Sequence, residues 1–281
     1  MNTITYFRTM LKLHRDLLLS PITALQGSKN ASVATRAANF RMKLKRSDIR
    51  FGFDKAKELF YVTRDTERHF FGNLHRGIKI YSQGVDVRAT KLFDSYLLGQ
   101  IDFAPDDIVV DCGANYGDLW LSLKDKLQPE NYITFEPGEM EHASIRANAP
   151  LGRHVKMGLS DKAKKTTFYL SEGTADSSVI KPKNFNEIIE IETVSLAEYI
   201  DANEIKRIKL FKLEAEGYEP EILAGAIGVL DRIDYIALDG GNERGTAEEE
   251  TFSKLANVLL LQGFELVSVN FKSSRALFQR L

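Results

Sequence analysis

From residue 106 onward one pattern recurs: a short run rich in β-branched and apolar residues, a turn, then a longer stretch with apolar residues at helical spacing. The runs are DDIVVDCG, NYITFEP, RHVKMGLSD, RIKLFKLEAEG and DYIALDGG. Helices are predicted over 118–127, 139–148, 195–203, 219–230 and 247–261. Parallel strands need a crossover between them, so this alternation predicts βαβ units and a mostly parallel, doubly wound sheet. KTTFYL and IIEIETV predict two more strands around a polar stretch at 173–183, and GFELVSV and RALFQRL predict two closing ones. A ligand in such a sheet sits beyond the carboxyl ends of the strands. The informative residues are therefore those that follow each run.

After the first run comes Asp111-Cys-Gly-Ala-Asn-Tyr-Gly117, a strand followed by a glycine turn and a helix start. Such a turn lets a ligand approach the backbone closely. A dinucleotide fingerprint would read Gly113, Asn115 and Asp118, and an acid at its third position opposes a pyrophosphate there. The turn suits a ligand whose facing group is positive. Glu136 follows the second run, nineteen residues past Gly117, where nucleotide-binding α/β domains place an acid for the ribose hydroxyls. Asp161 follows the third run and is suited to an exocyclic amine of adenine.

Lys212, Glu214 and Glu216 follow the fourth run at period two, so in extended geometry they share one face. Three charges there are costly unless paired or functional. Asp239 ends the fifth run, so an acid stands at each of the five strand ends.

Together these pieces resemble the FkbM family of S-adenosylmethionine-dependent methyltransferases. The resemblance rests on IVVDCGANYG, FEP, GLSD, ADSSVI and ETVSLAEYI, followed by IKLFKLEAEGYEPEILAGA, and runs from about residue 80 to the end. It implies the class I, Rossmann-like methyltransferase fold, an α/β architecture with a seven-stranded, mostly parallel sheet whose last strand is antiparallel. It implies methylation of an oxygen on a sugar, polysaccharide, glycoconjugate or polyketide-type product. By position, Asp111, Gly113, Asn115 and Gly117 would form the S-adenosyl-L-methionine loop, Glu136 would hold the ribose and Asp161 the adenine. Lys212, Glu214, Glu216 and Gly217 would be the strand-four signature. Two positions depart from the family: Glu214 stands where Asp is usual, and Asp239 where Glu is common.

The methyl of such a cofactor is already activated on a sulfonium, so the protein must align the acceptor and accept its proton. The base candidates are Glu214 and Glu216, with Asp239 beside them; Lys212 could instead pair with a carboxylate and hold it ionised. No metal is expected, since His14, His69, His75, His142 and His154 lack ligand spacing and read as solvent-exposed. A Mg²⁺ on Glu214, Asp239 and Asn242 is the alternative. Cys112 reads as a small buried hydrophobe, Trp120 as a packing residue, and the single cysteine suits a reducing compartment. A non-catalytic binding or scaffold protein on the same fold is the competing reading.

The formal net charge of −1 conceals two unlike parts. Residues 1–50 carry ten Lys/Arg against two Asp, a surplus of eight, so the other 231 residues carry about nine net negative charges. The longest apolar run near the start, Leu17–Leu19, is far too short for a spanning helix and lacks a secretory h-region. A short helix ending near Ser20-Pro21 and a linker over 26–38 are expected. The head reads either as a packed helix with a solvated basic face or as an interfacial helix on anionic lipid. An acidic body and a basic run without interleaved aromatics disfavour nucleic acid.

The expected organisation is a basic helical extension at 1–50, a lid or subdomain at 51–100 with ELFYV (58–62) and GIKIY (77–81) as the strands of a β-hairpin or small edge sheet and a helix over 87–99, and the cofactor-binding domain at 101–281. A cytoplasmic protein, peripheral at the inner membrane face, is the matching location.

Overall fold

The computed structural model describes residues 30–171 and 176–281, in two compact units that divide after Val85. The helix expected before Pro21 lies outside the described residues.

In the first unit, helix α1 (Ala31–Leu44) is capped by the Asn30 side chain, which accepts from the Ser32 and Val33 amides. It occupies most of the stretch expected to be a linker: Ala34, Ala37, Ala38 and Met42 form a buried stripe, and burial of a helix face outweighs weak polar local signals. Strands β1 (Arg50–Asp54), β2 (Leu59–Thr63) and β3 (His69–Phe71) form an antiparallel meander. The Asn39 side chain ties α1 to β1 by exchanging both hydrogen bonds with Phe51, at 2.8 and 2.7 Å. The GIKIY run, expected to be a strand, is part of helix α2 (Leu74–Tyr81). Asn73 caps it at the Arg76 amide, and the side chains of Leu74, Ile78 and Tyr81 are buried at helical rather than alternating spacing.

The second unit opens with helix α3 (Val85–Ser95), of which all but the first residue belongs to it. Leu92, Tyr96 and Leu98 are buried in its core. Central strands are β4 (Val109–Cys112), β5 (Tyr132–Phe135), β6 (Arg153–Val155), β10 (Ile208–Leu213), β11 (Ile233–Asp239), β14 (Phe264–Asn270) and β15 (Arg275–Arg280). Their order is β14-β15-β11-β10-β4-β5-β6, with β15 antiparallel to both neighbours and the β11-β10-β4-β5-β6 pairs parallel. That is the seven-stranded sheet with an antiparallel last strand implied by the sequence.

The third run splits. A second strand, β7 (Gly158–Ser160), leaves the central sheet and joins β8 (Lys164–Leu170) and β9 (Glu187–Ser195) in a separate three-stranded sheet. The helix expected over 118–127 has its α-helical turns only at α4 (Trp120–Leu123). Helices α5 (Glu139–Asn148), α6 (Leu196–Ala202), α7 (Glu219–Ala224) and α8 (Phe252–Leu261) follow the expected runs, though α7 ends earlier and α8 starts later. Before α8 the chain makes a small hairpin, β12 (Asn242–Arg244) with β13 (Glu249–Glu250).

Apolar clusters cover both faces of the central sheet. Val110, Cys112, Phe135, Phe211 and Leu238 point to one, and Val109, Tyr132, Leu210, Ala237 and Leu277 to the other. Strands buried on both faces read as near-continuous apolar runs, the signal that made them legible. Trp120 stacks on Tyr132 at 5.3 Å and Cys112 lies in the core, both as expected. The histidines differ from expectation: His75 is exposed, but His69 and His142 are buried and His154 is half-buried. His69 bonds to the Tyr81 hydroxyl at 3.1 Å, and His154 bridges Thr134 and the Ala149 carbonyl, so local partners make burial tolerable.

Candidate functional site

Three residues of the turn after β4 adopt the left-handed conformation: Gly113 (φ +69), Asn115 (φ +52) and Gly117 (φ +76). A Cβ at Gly113 would collide with the Glu214 carbonyl oxygen, so glycine is required for the turn to lie against the loop after β10. The tight turn also directs the Asn115 amide at Glu136 Oε2, 2.9 Å away, while the Gly138 amide donates to Glu136 Oε1 at 3.0 Å. The carboxylate at the end of β5 is thus held in a fixed orientation by one amide on each oxygen. Burial, reinforced by Glu141, pushes its pKa up to about 8 against those two hydrogen bonds.

The strand register assembles the charged residues. Lys212 lies opposite Asp111 across the β10–β4 pairing, and Arg275 lies opposite Asp239 across β11–β15. Lys212 Nζ is 3.0 Å from Asp111 Oδ1 and 2.8 Å from Glu214 Oε2, and it donates to the Cys112 and Gly113 carbonyls at 3.1 and 2.9 Å. Arg275 continues the line, with NH2 2.9 Å from Glu214 Oε1 and Nε 2.6 Å from Asp239 Oδ2. Its NH1 donates to Ser95 Oγ at 2.7 Å, and its guanidinium carbon lies 4.2 Å from the Tyr96 ring centroid. The result is a ladder of alternating charge across four strands: Asp111, Lys212, Glu214, Arg275, Asp239.

Burial alone would lower the Lys212 pKa, but Asp111 and Glu214 hold it above the ordinary lysine range. Burial likewise works against Glu214 ionising, yet Lys212 and Arg275 bring its pKa down to about 2. Tyr132 donates to Asp111 Oδ2 at 2.5 Å, and burial raises both its pKa and that of Asp111.

Glu216 does not share a face with Lys212 and Glu214. Strand β10 ends at Leu213, and Glu216 and Gly217 both have positive φ, +51 and +91, so the extended run breaks before the third charge. The turn is braced by Glu219, whose Oε1 accepts from the Ala215 and Gly217 amides at 2.7 and 3.2 Å. Arg244 adds a second brace through the Gly217 carbonyl and both oxygens of Glu221. Burial, with Glu243 next in effect, pushes the half-buried Glu216 carboxyl up to about 10, and burial pushes Glu219 to about 7.

Asp161 stands by a different sheet from the ladder. It follows β7 in the small sheet, is exposed, and pairs with Lys164 at 2.7 Å and the Ser160 hydroxyl at 2.8 Å. The alternative Mg²⁺ ligands Glu214 and Asp239 are both engaged by Arg275, and Asn242 stands on the exposed hairpin. Among the described residues no group of three or more His, Cys, Asp or Glu is arranged to hold a metal ion.

Arg275, Tyr96 and Ser95 were not singled out from sequence. One signal was available for Arg275: an antiparallel last strand starts at the edge where its parallel neighbours end, so its first residue reaches the site.

The donor set fits a cationic, ribose-bearing cofactor. Glu136 is oriented to accept hydroxyls, and the ladder has three carboxylates for two cations. Burial of the carboxylates around the ladder gives a consequence with a definite sign. Glu136, Glu216 and Glu219 have pKa values raised above the ordinary carboxylate value, so the folded state holds their protons more tightly than the unfolded chain. Their stabilising contribution is complete below about pH 4.5 and is lost as pH rises through roughly 7–10. Glu214 acts oppositely, and its contribution is lost only as pH falls from about 4.5 towards 2. The melting temperature of the ligand-free protein is therefore expected to fall between about pH 5 and 9, and a bound cation should flatten that slope. Thermal melts at fixed ionic strength with and without S-adenosylmethionine measure it; a rising profile would contradict the assignment.

A curated 31-O-demethyl-FK506 methyltransferase FkbM from Streptomyces tacrolimicus is 27% identical over 46% of this chain and 63% of its own length. A crystal structure of methyltransferase FkbM from Methylobacillus flagellatus KT matches at 15% identity and a TM-score of 0.44, covering 96% of this chain and 60% of that one. A TehB-like SAM-dependent methyltransferase from Corynebacterium glutamicum matches at 12% identity and a TM-score of 0.35, over 70% and 98% of the two chains. This chain spans less than two thirds of the length of the first two relatives. The methyltransferase FkbM domain model matches residues 111–266, more than half of the sequence and the whole span from the first ladder carboxylate to the edge strand, and the chain belongs to that family.

Proposed function

We propose that this protein transfers a methyl group from S-adenosylmethionine to a hydroxyl oxygen of a sugar, polysaccharide or glycoconjugate. The observation that carries the methyl-donor half is Glu136, fixed by the Asn115 and Gly138 amides beside the left-handed turn. The curated relative, named for acting on a 31-O-demethyl compound, supports oxygen as the acceptor atom. It equally favours a second reading, a hydroxyl of a polyketide-type product.

When bound, S-adenosylmethionine supplies an activated methyl on a cationic sulfur. In this assignment the Gly113–Gly117 turn receives the cofactor at close backbone approach and Glu136 accepts from the ribose hydroxyls. Asp161, exposed after β7, is the adenine candidate. The ladder keeps Glu214 ionised, fixes Asp111 and Asp239 in place, and favours a positive ligand over a neutral one.

The base is the acid that the ladder leaves unclaimed. Glu214, held near 2 by two cations, is a poor proton acceptor. Asp239 is engaged by Arg275 at 2.6 Å. Glu216 stands off the ladder in a raised range that is nearer to a hydroxyl proton's needs, and a neighbouring cation would favour its ionised form. Glu216 therefore receives the acceptor proton as the oxygen takes the methyl. Glu216→Gln is expected to lower kcat by about 10²-fold while cofactor affinity stays within a few-fold.

The direct test incubates the protein with S-adenosylmethionine and an extract of glycans or glycolipids, reading mass gain of one methylene per modified residue. Methylated sugar absent in the presence of a tightly bound cofactor overturns the acceptor class. Absence of cofactor binding by folded protein instead favours the scaffold reading.

A further inference from the structure

Charge in this molecule divides along the same line as the fold. Residues 1–85 hold sixteen Lys/Arg and six Asp/Glu, whereas residues 86–281 hold twenty-two and thirty-three. The first unit is thus strongly basic and the second strongly acidic. Between Asp16 and Asp48 the sequence contains no acid at all, and helix α1 lies inside that interval.

Helix α1 has two unlike faces. Its alanines and Met42 are buried, and the opposite face carries Arg36, Phe40, Lys43 and Leu44, followed directly by Arg46 beyond the helix end. Phe40 is 54% and Leu44 57% exposed, and at four residues' spacing they stand one above the other on the helix surface. Large apolar side chains set among cations suit one kind of surface better than others. Cations alone attract any polyanion, but water gives no return for exposing a phenyl ring and an isobutyl group side by side. An anionic bilayer rewards both features, phosphates for the cations and the headgroup–acyl boundary for the apolar pair.

We propose that this face of α1 docks on an anionic lipid surface, with Phe40 and Leu44 entering the headgroup boundary and Arg36, Lys43 and Arg46 meeting lipid phosphates. The acidic second unit gains nothing from such a surface, which confines the contact to the first. No helix among the described residues is long and apolar enough to cross a membrane, so the contact is with the surface. The inference does not depend on the methyl-transfer reading, because docking requires neither cofactor nor acceptor.

Flotation of the full chain with phosphatidylcholine vesicles, with and without phosphatidylglycerol, tests it. Binding is expected only to the anionic vesicles, weakening as salt rises. Lys43→Glu/Arg46→Glu is expected to weaken it by at least about tenfold. Phe40→Ser/Leu44→Ser, which leaves the charge unchanged, is expected to weaken it several-fold. All four positions are exposed, and an unchanged far-ultraviolet circular dichroism spectrum and melting temperature would show that each variant is folded. Absence of vesicle binding overturns the proposal. So does anionic-vesicle binding that the Ser/Ser variant retains in full and heparin competes away, since that describes a general polyanion surface.

Discussion

Replacing Lys212 with methionine is expected to destabilise the protein by about 3–5 kcal/mol, the cost of leaving a buried charge partner uncompensated. Lys212 is 2% exposed, and its ammonium has four oxygen partners: two carboxylates and two carbonyls. A methionine fills most of the volume but satisfies none of them. Asp111 would then lack its cation in a fully buried position, and Glu214 would keep Arg275 as its one cation. Urea unfolding at neutral pH measures the loss. Adding Asp111→Asn to the variant should recover part of it, because the worst-placed charge is then gone, and the double-mutant cycle isolates the coupling. A single-variant cost below about 1 kcal/mol would mean that the ladder is an ordinary surface ion pair.

Glu136→Ala is the second large effect, and it falls on ligand binding. Two charge-assisted hydrogen bonds to ribose hydroxyls contribute about 1.5–3 kcal/mol each, so the Kd for S-adenosylmethionine should rise by about 10²–10⁴-fold. Stability without ligand should move far less than for Lys212. The variant loses a carboxylate whose ionised form burial disfavours, which offsets the two amides left without a partner. Calorimetry with S-adenosylmethionine and with its demethylated product separates this from a charge effect: a ribose contact is common to both, so both affinities should fall together. A change below tenfold, or one confined to the cationic ligand, would move the ribose contact elsewhere.

Much of this site was legible before any coordinates. The run Gly113-Ala-Asn-Tyr-Gly117 read as a glycine turn between a strand and a helix, and the structure has a turn there, with positive φ at Gly113, Asn115 and Gly117. Acids following successive apolar runs pointed to the carboxyl edge, because parallel strands bring their ends to one side whatever the loops do. Local rules failed where two physical demands competed. GIKIY contains the β-branched residues of a strand, but an Asn cap and burial at helical spacing made it a helix. Period two placed Glu216 beside Lys212, but the strand ended first and a left-handed residue turned it away.

By itself, the sequence determined the alternation of strands and helices that sets the class of fold, the glycine turn with an acid after the next strand, and the presence of costly charges at the end of a buried strand. What those charges do was decided by tertiary structure alone. Arg275 lies 61 residues from Glu214, and only the insertion of an antiparallel last strand beside β11 brings its guanidinium between Glu214 and Asp239. That contact holds Glu214 between two cations as a fixed member of the ladder. The physical reason is that a carboxylate's protonation is set by which charges stand within a few ångströms of it, and sequence separation carries no such distance.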